Sequence, residues 1–193
     1  MPAMHDSLST TGGKNGPIVE PDRVRGLAEA QARPSITADW NPLREAPITG
    51  VRVCDVKNVV YRNGALTEIY RPEWFAGEFN VQHVILATIL PGEMSQWHCH
   101  HQQKDIIFPI RGFIRIGLYD ARPDSPTFGI SHVQTFHLQR PRYVCVPTGV
   151  WHALRNIGHE EAQYIVLNDL PYEYEHPDDW TLPAGAPAIP VSL

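Results

Sequence analysis

Cysteine is scarce and poorly spaced for bridging: Cys54, Cys99 and Cys145 are the only ones in 193 residues. An odd number without a C-x-x-C pair argues against a disulfide framework and against structural zinc on cysteines, and favours a reducing compartment. Positive charge is short too, with 16 Lys+Arg against 21 Asp+Glu and a formal net charge of -5. No basic field is available to hold a phosphate backbone, so nucleic acid is not an expected partner. No apolar run approaches the ~18 residues that span a bilayer, and residues 1–20 lack the continuous hydrophobic segment of a signal peptide. The expectation is a soluble, cytoplasmic protein without membrane contact. Charged residues reach only 19% while hydrophobic ones reach 42%, which excludes wholesale disorder. A chain of this length holds one ordinary domain with a short appendage, not two large domains.

Proline (18), glycine (14) and histidine (10) are the conspicuous residues. The first two punctuate short strands with turns, whereas the histidines need a chemical explanation. Residues 1–20 carry Gly, Ser, Thr, Pro and Asn without apolar periodicity and read as an arm. Between Pro21 and Pro34, Val24, Leu27, Ala28 and Ala32 recur at helical spacing, which predicts a short helix over residues 22–32. The chain thus divides into an N-terminal arm with a short helix, residues 1–45, and an all-β body, residues 46–193. In the body, β-favouring runs at 51–53, 65–70, 81–90, 95–100, 106–110, 113–119, 130–138, 143–146 and 163–168 alternate with turn signals. Those signals include Asn63-Gly64, Pro91-Gly92, Arg111-Gly112 and Pro147-Thr148-Gly149. Roughly nine short strands without crossover helices close into a jelly roll more readily than into an open sheet, because closure removes exposed edges. The tail from Pro177 is too proline-rich for a central strand and reads as an extended strap.

Two segments carry the chemistry. In Gly92-Glu93-Met94-Ser95-Gln96-Trp97-His98-Cys99-His100, strand alternation puts His98 and His100 on one face and Cys99 on the other. A hairpin at residues 101–104 would return the chain antiparallel and set Asp105 opposite the pair. In Pro147-Thr148-Gly149-Val150-Trp151-His152, a tight turn delivers His152 at the start of the next strand. His98, His100, His152 and Asp105 suit a divalent Zn, Fe, Mn or Ni ion, because imidazole and carboxylate are ligands for borderline metals. They equally suit metal-free proton transfer. His83, His132 and His137 read as hydrogen-bonded structural residues, His5, His159 and His176 as solvent-facing, and His101 as outward. Trp97, Trp151, Phe108 and Phe113 read as bulky core fillers. Arg115 is either an anion contact inside the barrel or a solvent-facing residue.

The spacing G-x5-H-x-H-x4-D-x6-G followed by P-x-G-x2-H-x3-N resembles the two cupin motifs, with Asp105 where many cupins have Glu. Tyr119-Asp120-Ala121-Arg122-Pro123-Asp124-Ser125-Pro126-Thr127-Phe128-Gly129 is similar to the D-x-R-x-x-S-P-T-[FY]-G signature of dTDP-4-dehydrorhamnose 3,5-epimerases. With Gly64-Ala65-Leu66-Thr67-Glu68 and Pro177-Asp178-Asp179-Trp180, the similarity extends over roughly residues 48–190. The resemblance implies a cupin double-stranded β-helix, a homodimer, and a barrel holding a sugar nucleotide with a 4-keto group. It also implies proton relocation at C3 and C5 through an enolate, a chemistry that requires no cofactor. By that match His98 is the catalytic base, Asp120 and His152 support and orient it, and Tyr164 is the candidate for the family's tyrosine. Glu68, Lys104 and Arg115 are the candidate substrate contacts.

Two positions depart from the pattern. Ser95 stands where the family has an arginine that helps hold the diphosphate, and Asp105 where it has the enolate-stabilising lysine, with Lys104 nominally on the other face. A carboxylate there repels an enolate and, beside two histidines, attracts a cation. Three functions are therefore carried forward. The first is an epimerase or isomerase of 4-keto-6-deoxy nucleotide sugars acting through His98. The second is a metal-dependent cupin dioxygenase or isomerase with His98, His100, Asp105 and His152 as ligands. The third is a non-catalytic sugar-binding cupin.

Overall fold

The computed structural model describes residues 34, 36–40 and 47–193. The arm of residues 1–20 and the helix expected over residues 22–32 lie outside the described residues. The chain separates into two units, Met1–Leu43 and Arg44–Leu193, and the strands named below all belong to the second. No helix among the described residues is long and apolar enough to cross a membrane.

In chain order the strands are β1 (Arg52–Asp55), β2 (Asn58–Tyr61), β3 (Gly64–Thr67), β4 (His83–Ile89), β5 (Trp97–Cys99) and β6 (Asp105–Arg111). They continue as β7 (Ile114–Asp120), β8 (Ser131–Phe136), β9 (Arg142–Val146), β10 (Val150–Asn156), β11 (Ala162–Asn168) and β12 (Trp180–Leu182). Two antiparallel five-stranded sheets result, ordered β1-β9-β6-β11-β4 and β12-β5-β10-β7-β8, with β2 and β3 as a separate hairpin. Across the interior, Ile107, Val144 and Val146 of the first sheet meet Ile114, Ile116, Leu118, Val150 and Leu154 of the second. This is the expected jelly roll. Each such buried aliphatic side chain is worth about 1.5–3 kcal/mol.

Alternation explains what each strand presents. β6 reads as a nearly continuous apolar run because both faces are covered. Ile107 turns to the interior, while Ile106 and Phe108 turn to an outer cluster with Phe75, Phe79 and Tyr143. In β7, Ile114, Ile116 and Leu118 point inward, so Arg115, Gly117 and Tyr119 face outward, toward the layer that holds Trp97, Ile189 and Leu193. Trp97 and Phe108 are core fillers as expected, at 1% and 2% exposure. Phe113 is not: it is 46% exposed and stacks on His137 at 4.0 Å outside the barrel.

Several elements differ from the sequence reading. The run at 65–70 stops at Thr67, and the chain enters a 3-10 turn at Pro72–Phe75, where proline occupies the first turn and needs no N–H partner. β2 forms only because β3 lies beside it. The strap contributes three residues to an edge, β12 against β5, with Pro177 and Pro183 keeping it short. Residues 101–104 make no hairpin, since β5 and β6 belong to different sheets and this segment carries the chain between them.

Candidate active site

Strand pairing brings the histidines together. β5 and β10 are in register at His98↔His152, and the two rings lie side by side with centroids 6.0 Å apart. His100, just past β5, comes to 5.5 Å from the His152 ring. The turn before β10 permits this: Gly149 has φ +75°, and its N–H donates to the His100 carbonyl at 2.8 Å. A Cβ at residue 149 would sit 2.6 Å from the Arg122 side chain, in a backbone conformation that favours glycine. Asp105 enters from the facing sheet as the first residue of β6, opposite Asn168 of β11. With Tyr164 of β11, these side chains line one cavity of about 380 Å³.

Asp105 is the electrostatic centre. Its Oδ1 accepts from Gln103 Nε2 at 2.9 Å and from Asn168 Nδ2 at 2.8 Å. Its Oδ2 lies 3.2 Å from His100 Nε2 and 3.2 Å from His152 Nε2. Burial alone would raise the carboxyl pKa, but the bonds from the two imidazoles hold it well below the usual carboxylate range. For His100 burial pulls the pKa down and the Asp105 carboxylate outweighs it, raising it to about 9. The far sides of these rings are also committed. Nδ1 of His100 meets the Asp178 carbonyl, and Nδ1 of His152 meets the Val150 carbonyl at 3.2 Å. A carbonyl only accepts, so both Nδ1 atoms carry hydrogen, and a neutral ring would then turn a bare Nε2 toward an anion. The corner formed by the two Nε2 atoms and Oδ2 therefore demands positive charge, as protons or as a bound cation.

His98 stands apart from this corner. Its Nδ1 is 2.9 Å from Asp179 Oδ1, and that bond is the chief reason the Asp179 pKa is lowered. An ionised Asp179 accepts a hydrogen bond from Nδ1–H, which leaves the lone pair on Nε2 of a ring that lines the cavity. Tyr164 is 9% exposed, and burial pushes its phenol pKa up.

The remaining sequence candidates are elsewhere. Asp120 does not orient His98: it is fully buried as the last residue of β7, accepting from Arg122 Nε at 2.8 Å, Ser125 Oγ at 2.6 Å and Thr127 Oγ1 at 2.6 Å. The Ser-Pro-Thr signature is thus the wall of an aspartate socket, and the orienting carboxylate is Asp179 of the strap. Glu68 is exposed and paired with Arg71, away from the cavity. Lys104 lines a second cavity beside Arg52 and Phe75, donating to the Glu78 carbonyl at 3.1 Å, because its side chain leaves the opposite face from Asp105. Arg115 faces outward for the same reason. His83, read as structural, lines the active cavity. Asp179 had a visible signal in the Pro177-Asp178-Asp179-Trp180 segment, but nothing in spacing linked it to His98.

No protein-family model matches the chain. Among curated proteins, the probable low-salt glycan biosynthesis epimerase Agl13 of Haloferax volcanii is 30% identical over 137 residues, covering 70% of this chain and 88% of that protein. The spore coat polysaccharide biosynthesis protein SpsL of Bacillus subtilis is 31% identical over 93 residues, covering 48% of this chain and 62% of its own. Among solved structures, a dTDP sugar isomerase from Desulfovibrio desulfuricans superposes with a TM-score of 0.69 at 23% identity, covering 76% of this chain and 92% of that one. A dTDP-4-dehydrorhamnose 3,5-epimerase from Bacillus anthracis, solved with TDP and pyrophosphate bound, gives 0.67 at 18% identity, covering 76% and 86%. The jelly roll, its histidine-lined cavity and a relative matched over nearly its whole length agree, and the chain belongs to the dTDP-4-dehydrorhamnose 3,5-epimerase-like cupin family.

Proposed function

We propose that this protein is a nucleotide-sugar epimerase or isomerase that relocates a proton beside the carbonyl of a 4-keto-6-deoxy sugar. The observation that carries the reading is the His98–Asp179 pair on the wall of a cavity of about 380 Å³, enough for a hexose ring. The epimerase name of the Haloferax relative supports it. A hydrogen on C3 or C5, acidified by the ketone, passes to His98 Nε2, and its electron pair moves into an enolate. Asp179 stabilises the imidazolium that forms. His100, cationic at neutral pH because of Asp105, supplies positive charge to the cavity where the family's lysine is absent. Tyr164, kept protonated by burial, returns a proton to the other face of the carbon. Both groups re-equilibrate with solvent, so the sugar is inverted with no change in atoms or oxidation state.

Incubation with dTDP- and UDP-linked 4-keto-6-deoxy sugars in deuterated water tests this. The expected result is deuterium at C3, C5 or both, lost in His98→Ala. Absence of exchange with every such nucleotide overturns the reading and leaves sugar binding without catalysis. We place the enzyme in the cytoplasm as a homodimer, an assembly supported by the open apolar edge of β4, where Val84 is 57% and Leu86 64% exposed.

A second reading is favoured by the corner around Asp105. His100, Asp105 and His152 each offer a ligand atom, and these atoms all lie within 4.8 Å of one another. One proton satisfies only one of the two Nε2 atoms, whereas one divalent ion satisfies both. Ligand atoms about 2.1 Å from a common ion lie roughly 3.0–3.4 Å apart, which brackets the spacings to Oδ2. His98, held by Asp179, is not in this group, so the four-ligand set reduces to two histidines and an aspartate. A bound ion would act as a Lewis acid toward a sugar oxygen. About one ion per chain by elemental analysis, lost in Asp105→Asn, supports this reading. Full exchange activity in metal-free protein overturns it.

A further inference from the structure

Asp178 takes no part in the contact between His98 and Asp179, yet it binds the segment that follows His98 and the ring of His100. Its carboxylate accepts the backbone N–H groups of His101 at 2.9 Å, Gln102 at 2.7 Å and Gln103 at 3.0 Å. Its carbonyl accepts Nδ1–H of His100. The next residue is Asp179, whose carboxylate sits on His98. One residue therefore joins the segment between the two sheets, the ring of His100 and the placement of the carboxylate on His98.

The contacts that follow residue 179 are a short edge ladder and the Trp180 ring against His101, with centroids 5.2 Å apart. β12 starts one residue later and pairs with β5 over only three positions, Trp180↔Cys99, Thr181↔His98 and Leu182↔Trp97. Trp180 is 57% exposed. A ladder this short at a sheet edge opens easily, whereas hydrogen bonds from three successive backbone donors to one carboxylate are charge-assisted and directional. We propose that Asp178 is a positioning residue: by gripping residues 101–103 it sets Asp179 against His98 Nδ1 and its own carbonyl against His100 Nδ1, and so dictates which nitrogen of the His98 ring carries hydrogen and how the His100 ring is aimed. Without an acceptor at Nδ1, a neutral imidazole is released to the other tautomer, and the base nitrogen of His98 is blocked. The effect on rate rests on the proton-transfer reading above; the effect on the rings does not.

The test compares the full chain with its Asp178→Ala and Asp178→Asn variants by nitrogen-15 spectra of the imidazoles and by the deuterium-exchange assay. The wild type is expected to show hydrogen on Nδ1 alone of His98 and on both nitrogens of the cationic His100. In Asp178→Ala the His98 signals move to a tautomer average and the His100 Nδ1 signal shifts as it loses the Asp178 carbonyl, kcat falls about 100-fold, and KM stays within about threefold, as expected of a misplaced catalytic group. Asp178→Glu, which keeps the carboxylate, recovers kcat to within about tenfold of wild type. Should the alanine variant not fold, Asp178→Asn has nearly the same shape and carries the same comparison. Unchanged ring signals overturn the proposal, as does a rise in KM alone, which would make Asp178 a packing residue of the loop. Ring signals that move in a protein whose wild type exchanges no substrate hydrogen leave the positioning role intact and overturn the epimerase reading instead.

Discussion

Asp105 and Asp179 have the same carboxylate on the same cavity, and their partners make them different instruments. Asp179 meets Nδ1 of one imidazole and leaves the opposite nitrogen for chemistry. Replacing it by Asn keeps the shape but offers the ring either an amide donor or a neutral acceptor. The expected outcome is a fall in exchange rate of roughly 10²- to 10⁴-fold with the melting temperature nearly unchanged, measured by isotope exchange and calorimetry. Asp105 instead stands between two Nε2 atoms and holds the charge of His100. Because the folded His100 pKa is raised to about 9, the stability it contributes is complete below its ordinary value of about 6.5. It is lost as pH rises through the folded value. In metal-free protein the unfolding free energy should therefore decline between about pH 7 and 9, and Asp105→Asn should lack that alkaline decline. A flat profile in the wild type would show that no imidazolium is held there.

Among elements, the turn between β7 and β8 is the one whose sequence looks catalytic and whose structure is architectural. Asp120 binds Arg122, Ser125 and Thr127, and these bonds, against the opposing effect of burial, depress its pKa. The stability this contributes is present above the ordinary value of about 3.9 and is lost as pH falls toward the folded value. Asp120→Asn leaves Arg122 without its anion and should cost about 3 kcal/mol at neutral pH. It should also flatten the acid limb of a denaturation profile. Isotope exchange per folded molecule should stay near wild type, and a loss as large as that of His98→Ala would return Asp120 to the chemistry. On the outer face of β7, Gly117 matters for space: a Cβ there would lie 2.6 Å from Leu193 Cδ2 and 2.9 Å from Trp97. Gly117→Ala should destabilise by about 1–3 kcal/mol, readable in urea titrations, because Trp97 is sealed beneath the tail and cannot yield.

At the scale of the whole molecule, the first sheet ends at β4, whose apolar edge has no partner strand on that side among the described residues. Ile85, on the same strand, lines the active cavity. In the proposed dimer a second copy would cover this edge beside the cavity rim. Leu86→Lys should shift the particle from dimer toward monomer in light scattering and raise KM more than it lowers kcat. A wild type that is monomeric at every concentration would remove the dimer from the proposal.

The amino-acid order by itself determined what is local. Alternation of side chains and the chemistry of Gly and Pro turns act within a few residues, so most strands, the jelly-roll class and the pairing of His98 with His100 were legible without coordinates. The turn ahead of His152 was legible for the same reason. Tertiary structure alone decided what depends on distant partners. Asp179 is separated from His98 by 81 positions, and only β12 against β5 and the grip of Asp178 bring them together. Whether Lys104 and Arg115 face the cavity depends on which side of each sheet is the interior, a property of how two sheets close on one another. The physical reason is common to all of these: a strand declares which residues share a face, but the identity of the neighbour it meets is set by closure of the barrel.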